Sequence, residues 1–349
     1  MSKHARHRAL GLEDAEALDL HYAMLVTREL SVRALSLAQQ GTIDLSIPSD
    51  GHEAAQVASM RALRKTDPAY LFYRSLPAAY ARGMTARELL MDHFGRAKAP
   101  SSGGKNIPGH WSKRALNLMS ISGSVATHIP HAVGSAIAAS LRGEQSVAIA
   151  YFGDGGVSKA DFHEGLNFAA IHKLPVILFC ENNGVAISVP FELQSSVPRV
   201  ADRAAGYDVP GVTVDGWDPL AVYEVTAAAV ERARNGEGPT LIEAVVARLS
   251  RHTSQVGDER SEEEMALARE RDPIPLFGRY LREQGLLDDA EEQVLTERAK
   301  AEVDEAIEFA REAPAPYAED AYQTVFATPV SGRMPFRSRF PLRPAWAAP

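Results

Sequence analysis

The stretch Tyr151-Phe-Gly-Asp-Gly-Gly156 ends a short, almost wholly apolar run, Ser146-Val-Ala-Ile-Ala-Tyr-Phe152. A run of this kind is typical of a buried strand in a parallel sheet. Ligands of open α/β sheets bind at the carboxyl ends of the strands, where glycines let the backbone approach an anion closely. An acid among these glycines would repel a bare diphosphate, so the motif predicts a cation between Asp154 and the ligand.

A second polar motif, Glu181-Asn-Asn-Gly184, follows the next apolar run at residues 175–180. Asn183 comes 29 residues after Asp154, which leaves room for one helix and one strand. A right-handed crossover of that length would place the two strand ends side by side. The Asp154 carboxylate, an amide oxygen of Asn183 and a backbone carbonyl form an all-oxygen ligand set, which suits Mg²⁺.

Helices and strands alternate along the rest of the chain. Apolar periodicity predicts helices at residues 12–40, 52–63, 85–94, 126–141, 158–172, 219–234, 274–283 and 288–311, and strands at 146–152, 175–180, 212–214 and 240–246. Residues 95–124 and the acidic stretch before residue 274 are predicted as loops, and Ser158 with Asp161 as a capping box. This order predicts an α/β fold, with a doubly wound, mainly parallel sheet flanked by helices, an N-terminal helical arm and C-terminal helices.

The composition disfavours several classes of protein. The 349 residues carry 37 Lys and Arg against 45 Asp and Glu, a net charge of −8, so binding to a long nucleic-acid track is disfavoured. The longest apolar runs are far shorter than the ~20 residues of a membrane-spanning helix. Because Cys180 is the single cysteine, an internal disulfide is excluded, and a reducing compartment, the cytoplasm, is expected.

Another class of enzyme also fits part of the motif. Gly153-x-Gly155-x-x-Ser158 nearly matches a dinucleotide-binding fingerprint, with Glu181 as the acid for a ribose. Against a nucleotide-binding dehydrogenase, serine replaces the third glycine, the motif lies in mid-chain, and an acid stands between the first two glycines. A non-catalytic scaffold that kept only the fold is a further alternative. The Asn pair at its spacing from Asp154 favours the site for a metal and a diphosphate.

Three stretches together resemble the thiamine diphosphate motif: Gly153-Asp-Gly155, Phe162-His-Glu-Gly-Leu-Asn-Phe-Ala-Ala170 and Leu174-Pro-Val-Ile-Leu-Phe-Cys-Glu-Asn-Asn-Gly184. From about residue 12 to residue 328, the chain is similar to the α subunit of the decarboxylating component of 2-oxo acid dehydrogenase complexes. Ala126-Thr-His-Ile-Pro-His-Ala-Val-Gly134 and Gly104-Lys-Asn-Ile-Pro108 resemble the branched-chain (2-oxoisovalerate) members more than the pyruvate members.

The resemblance also implies a division of the chain. Residues 1–45 would form an N-terminal arm and helix, residues 46–285 the α/β domain that binds thiamine diphosphate and magnesium, and residues 286–349 a C-terminal helix and extended tail. The first eight residues are expected to be a short mobile arm. The last 19 residues carry four arginines, four prolines and no acid, a composition typical of an extended tail.

The resemblance implies the ligands of the cofactor and its metal. Asp154, Asn183 and the main-chain carbonyl of Val185 match the magnesium ligands. Tyr73 and Arg74 match the pair that grips the diphosphate, and a guanidinium offers a fork of donors that suits phosphate oxygens. Further matches to cofactor contacts are Gly123, Val125, Gly155, Gly156 and Glu181.

Three histidines have predicted roles, and the roles of the first two are implied by the resemblance. His252 matches the active-site histidine of a mobile loop, which contacts the cofactor and helps acyl transfer. Ser122, Thr127 and His128 fall where some branched-chain members bind K⁺. His52-Glu53 begins a predicted helix but lacks the second histidine of a zinc-protease motif, so a role in capping the helix is expected instead of zinc binding.

Half of a complete thiamine diphosphate site is recognisable here. The chain has the diphosphate-binding half, and no second stretch resembles the pyrimidine-binding half. The resemblance therefore implies a β subunit, an α₂β₂ heterotetramer and a lipoyl-bearing acyltransferase core as partners. The implied reaction is oxidative decarboxylation of a branched-chain 2-oxo acid, with pyruvate or acetoin as alternative substrates.

Overall fold

A parallel sheet forms the centre of the computed structural model, which describes residues 5–258 and 260–322. Its strands are β1 Ala69–Tyr70, β2 Leu118–Met119, β3 Ala148–Gly153, β4 Val176–Asn182, β7 Gly211–Asp215 and β8 Thr240–Val245, while β5 Val185–Ala186 and β6 Val189–Pro190 form a small antiparallel hairpin. The sheet order is β2-β1-β3-β4-β8-β7, and every neighbouring pair runs parallel. The loop after β3 and the loop after β4 therefore leave the same edge of the sheet.

Both faces of the sheet are buried. Successive side chains of a strand point to opposite faces, so each strand contributes to an apolar cluster on either side. In β3, Ile149 and Tyr151 join the apolar cluster on one face, whereas Ala150 and Phe152 join the cluster on the other face. Strands covered on both sides read as continuous apolar runs, and this is why the two central strands are recognisable in the sequence.

Helices cover the sheet on both sides. They are α1 Arg6–Ala9, α2 Asp14–Gln39, α3 Glu53–Arg61, α4 Leu76–Arg82, α5 Ala86–His93, α6 His128–Arg142, α7 Ala160–Ile171, α8 Pro219–Arg234, α9 Glu262–Arg269, α10 Pro273–Glu283 and α11 Asp289–Glu312. One apolar cluster contains residues of α2 to α5, α8 and α11, and the other contains residues of α6 and α7. This layered arrangement confirms the predicted α/β fold.

Some local predictions are wrong. Ser158 forms no capping box, because α7 begins at Ala160 and Lys159 occupies its N-cap position. The acidic stretch before residue 274 contains α9, which begins with a capping box of Ser261 and Glu264. Within the predicted loop 95–124, Leu118–Met119 forms β2, an element too short to show periodicity.

The N-terminal arm is also partly ordered. Residues 6–9 form α1, and the buried ring of His7 hydrogen-bonds to the Asp14 carboxylate at 2.9 Å and to the Tyr280 hydroxyl at 2.8 Å. The predicted tail, the last 19 residues, lies outside the described residues, and the domain boundaries near residues 45 and 285 stay predictions. None of the described helices is long and apolar enough to cross a bilayer.

Candidate functional site

A cavity of about 280 Å³ opens at the carboxyl ends of β3 and β4. Gly153 at the end of β3 pairs with Glu181 near the end of β4, so the loops that follow these strands meet at the cavity wall. The wall also takes residues from the loop before α4, the loop before α6 and the loop after β8, namely Tyr73, Arg74, Ser122, Gly123, Val125, Asp154, Gly155, Gly156, Asn183, Val185 and His252 among others.

Asp154 places a buried carboxylate in this wall. Its exposed fraction is 2%, and its side-chain partner is the neutral amide of Gln194, whose Nε2 donates to Oδ2 at 3.3 Å. Burial raises the pKa of the Asp154 carboxyl above its ordinary value. A buried carboxylate that faces a cavity and has a neutral partner favours a bound cation.

Asn183 and Val185 follow Asp154 around the same rim. The backbone N–H of Val185 donates to Oδ1 of Asn183 at 3.2 Å, across a turn in which Gly184 has a φ of 79°. This turn leads into the β5–β6 hairpin. It brings an amide oxygen and a main-chain segment to the side of the cavity that Asp154 occupies.

The approach of the hairpin to the Asp154 turn depends on glycine. A Cβ atom at Gly155 would lie 2.9 Å from the Cβ atom of Ala186, closer than two carbon atoms can pack. Gly155 therefore lets the hairpin that carries Val185 lie directly against the turn that carries Asp154.

The oxygen atoms of Asp154, Asn183 and Val185 are a ligand set that fits a magnesium ion with a bound diphosphate. The described residues contain no group of three or more His, Cys, Asp and Glu side chains that could hold a metal, so a histidine- or cysteine-rich site is not indicated there. One carboxylate, one amide oxygen and a main-chain carbonyl leave positions for phosphate oxygens and water, as Mg²⁺ prefers.

Arg74 supplies the positive charge of the cavity. Its side chain is 2% exposed, and Nη1 donates to the main-chain carbonyl of Pro48. Nη2 donates to Nδ1 of His252 at 3.1 Å and to the His252 carbonyl at 3.2 Å. The Tyr73 ring lies beside the His252 ring, with 6.0 Å between the ring centroids, so these three predicted residues form one cluster.

His252 is uncharged in this environment. Burial, Arg74 and Arg248 together lower the pKa of His252 to about 4. Because Arg74 can only donate, Nδ1 of His252 must accept, and the proton of the neutral ring is on Nε2. The ring can therefore donate from Nε2 or, once Arg74 turns to another partner, accept at Nδ1.

Strained backbone lies in the same wall. Ala126 and Ile187 line the cavity with φ values of 72° and 59°, a conformation that is rare for any residue with a side chain and rarest for a β-branched one. Such strain persists where the surrounding structure holds it, and it is concentrated at functional sites. No sequence signal marked either position, because alanine and isoleucine do not normally adopt it.

Glu181 is the predicted cofactor contact that does not line the cavity. Its side chain is fully buried, and its Oε2 accepts from Nδ1 of His52 at 2.5 Å and from Nε2 of Gln56 at 2.8 Å. His52 occupies the N-cap position of α3, as predicted, but its side chain makes no capping bond. His52 and Gln56 lie four positions apart at the start of α3, a spacing that puts both side chains on one face of the helix, and this spacing was the available signal for them.

The residues matched to a potassium site are differently placed. Ser122 and His128 line the cavity, but Nε2 of His128 donates to the carbonyl of Tyr151 at 2.6 Å, and burial lowers the pKa of His128 to about 4. The Thr127 hydroxyl donates to the carbonyl of Ser124 at 3.0 Å. Two of the three side chains are thus engaged with backbone carbonyls, and K⁺ binding stays a prediction.

The chain is similar to known proteins over most of its length. A family model described as the dehydrogenase E1 component matches residues 21–319. The chain is 45% identical over 325 residues to the 2-oxoisovalerate dehydrogenase subunit alpha of Bacillus subtilis, a match that covers 92% of this chain and 98% of that protein.

Two other relatives are similar over most of their lengths. The 3-methyl-2-oxobutanoate dehydrogenase subunit alpha of Mycobacterium tuberculosis is 40% identical over 311 residues, which are 88% of this chain and 82% of that protein. The pyruvate dehydrogenase E1 component subunit alpha of Staphylococcus aureus is 38% identical over 303 residues, which are 86% of this chain and 79% of that protein. The relatives named for branched-chain substrates are therefore more similar to this chain than the one named for pyruvate.

Proposed function

The chain belongs to the dehydrogenase E1 component family, and on that premise we propose that it is the α subunit of a branched-chain 2-oxo acid dehydrogenase. Enzymes of this family depend on thiamine diphosphate, and their α subunits work with a β subunit and an acyltransferase core. The reaction is the oxidative decarboxylation of a branched-chain 2-oxo acid, with transfer of the acyl group to a lipoyl group of that core.

One observation carries the proposal. Asp154, Asn183, Val185, Arg74 and His252 come from four separate segments of the chain, and all of them line a single cavity at the carboxyl ends of two adjacent parallel strands. In a nucleotide-binding dehydrogenase the pyrophosphate lies directly against the backbone of the glycine-rich loop. A buried carboxylate between the first two glycines of that loop would repel it.

The residues divide the work of binding. Asp154, Asn183 and the carbonyl of Val185 would hold Mg²⁺, which in turn binds the diphosphate. The Arg74 guanidinium would pair directly with phosphate oxygens, and Gly155 with Gly156 lets the backbone come close to the same group. Gly123 and Val125, which also line the cavity, are proposed as further cofactor contacts.

When bound, thiamine diphosphate supplies the carbon nucleophile that attacks the 2-oxo carbon and the ring that accepts the electrons left by CO₂. His252 is proposed as the catalytic residue of this chain. Its neutral ring holds a proton on Nε2 and shares Nδ1 with Arg74, so it can hydrogen-bond to cofactor or acyl group without adding a charge. K⁺ is a further candidate ion near Ser122.

The substrate class follows from the relatives. Both relatives named for branched-chain acids are more similar to this chain than the relative named for pyruvate. We propose an α₂β₂ heterotetramer, because the chain carries the diphosphate half of the site and the β subunit would complete it.

A substrate panel tests the proposal. The chain is co-purified with its β partner and assayed with an artificial electron acceptor on 3-methyl-2-oxobutanoate, pyruvate and acetoin, with thiamine diphosphate and Mg²⁺. We expect the highest kcat/KM with the branched-chain acid. A preference for pyruvate or acetoin would contradict the substrate class, and a rise in melting temperature with NAD instead of thiamine diphosphate would contradict the proposed cofactor.

A further inference from the structure

A series of three hydrogen-bonded side chains, Glu181, His52 and Asn183, leads to the proposed metal site. Glu181, in β4, faces His52 at the start of α3, and both side chains are fully buried. On its other side, Nε2 of His52 lies 3.5 Å from Nδ2 of Asn183, a long hydrogen bond. The order of groups is therefore carboxylate, imidazole and amide, and the amide belongs to a proposed ligand of magnesium.

Glu181 is held away from the cavity by its own partners. Its Oε2 accepts from both His52 and Gln56. Its Oε1 is inaccessible and has no partner among the described residues, so a ligand in the cavity cannot reach it without opening the wall. This placement argues for a role that acts through His52 and not for a direct cofactor contact.

The hydrogen-bond donors and acceptors of these three side chains can be assigned one after another. A carboxylate only accepts, so Nδ1 of His52 donates to Glu181, and the neutral ring keeps a lone pair on Nε2. That lone pair can accept only from the NH₂ group of Asn183. The amide oxygen must then point the other way, where it accepts from the N–H of Val185 at 3.2 Å on the side of the cavity.

We propose that Glu181 and His52 are positioning residues, which fix the Asn183 amide so that its oxygen and not its NH₂ group faces the metal. This inference rests on the proposed function of the site. If the amide turned over, its NH₂ group would face the cation, and an amide NH₂ group cannot bind a metal. Replacing a residue that hydrogen-bonds to a metal ligand typically lowers the affinity for the metal by about 10–100-fold. The Val185 N–H holds the same orientation independently, so we expect the lower end, about 10-fold.

Substitutions at His52 separate this role from simple packing. In His52→Asn the amide can still reach Glu181 but is too short to bring an acceptor to Asn183, whereas the longer amide of His52→Gln can still accept from Asn183. His52→Met keeps the buried volume without a good acceptor and replaces His52→Asn if that variant fails to melt cooperatively. Ser59→Ala is the matched control, because Ser59 is also buried on α3 and bonds to the Tyr151 hydroxyl at 2.9 Å.

The experiment measures binding, apart from turnover. The full chain is purified with its β partner, and Mn²⁺ binding at saturating thiamine diphosphate is followed by the electron paramagnetic resonance of free Mn²⁺. We expect a Kd about 10-fold higher in His52→Asn or His52→Met, a Kd within about threefold of the wild type in His52→Gln, and no change in Ser59→Ala. High Mg²⁺ should restore kcat in the weakened variants.

Two results would overturn the inference alone: wild-type Mn²⁺ affinity in His52→Asn or His52→Met, or equal losses in those variants and in His52→Gln. A wild-type protein that binds thiamine diphosphate without any Mn²⁺ would instead overturn the proposed metal ligands, and this inference with them.

Discussion

Asp154 illustrates how a single side chain can serve binding at the expense of the unliganded fold. Its carboxyl is buried beside a neutral amide, and burial raises its pKa. In the absence of a cation that environment opposes the charged form. Mg²⁺ would reverse the balance, because it brings a compensating charge into direct contact with the carboxylate.

Asp154→Ala should therefore abolish the increase in melting temperature that thiamine diphosphate and Mg²⁺ cause together, since a ligand stabilises the native state only if it binds that state. The melting temperature without ligand should be equal to or above that of the wild type. Thermal unfolding with and without both ligands measures this, and Asp202→Ala, an exposed aspartate, is the control. An unchanged ligand-induced shift in Asp154→Ala would contradict the metal assignment.

His252 is proposed to contribute to the reaction in a different way. Burial and the Arg74 guanidinium keep its ring neutral, and it is proposed to act on the acyl group and not on the metal. His252→Ala should retain cofactor binding and lose about 10²–10⁴-fold in turnover with a lipoyl-domain acceptor. Binding is followed by thermal shift and turnover by reductive acylation, with the exposed His172→Ala as control. Acylation at the wild-type rate would show that His252 is not catalytic.

Asp92 gives a pH-dependent prediction outside the cavity. Burial raises its pKa to about 7, against the opposing hydrogen bond from Ser101, while Glu88 adds to the rise. The native state therefore holds the proton of Asp92 more tightly than the unfolded chain does. The protonated carboxyl makes its full contribution to the free energy of unfolding below pH ~4, and this contribution is lost as the pH rises through about 7.

Asp92→Asn does not titrate, so its melting temperature should exceed that of the wild type by a margin that grows from pH 4.5 to pH 7.5 and then levels off. Melting curves of both proteins across this range measure the margin, with the exposed Asp202→Asn as reference. A margin that is constant or that shrinks with rising pH would contradict the raised pKa.

The β5–β6 hairpin connects the packing of one short element to the metal site. Gly155→Ala would place its Cβ atom 2.9 Å from Ala186, so the hairpin must move and carry Val185 with it. We expect weaker Mg²⁺-dependent binding of thiamine diphosphate, measured by calorimetry, with a melting temperature close to that of the wild type. Gly206→Ala, where a Cβ meets open space, should bind normally. Equal affinity in both variants would show that the hairpin does not hold a ligand.

The elements differ in how well the sequence predicts them. The buried strands β3 and β4 are visible as continuous apolar runs, and α8 has the predicted bounds because Asp218 caps it and Pro219 begins it. The two residues of β1 are too few for any period. The Glu181–His52 contact joins residues 129 positions apart, and no local pattern in a single sequence reports such a pairing.

In the whole molecule, the N-terminal and C-terminal helices share one core with the sheet. Leu30 of α2 and Val303 of α11 belong to the same apolar cluster as Ile149 of β3. The cavity at the sheet edge is thus carried by a broad, well-packed body. Within residues 5–258 and 260–322 no second segment resembles a pyrimidine-binding half with its activating carboxylate, so we propose that the β subunit supplies that half.

Mixing the separately purified subunits tests this division of the site. The α chain, shown to be free of any second polypeptide, is titrated with its β partner at saturating thiamine diphosphate, Mg²⁺ and 3-methyl-2-oxobutanoate, and CO₂ release is measured. We predict no decarboxylation by the α chain alone and activity that rises to a plateau at a one-to-one ratio. Decarboxylation of the 2-oxo acid by the α chain alone would contradict the account.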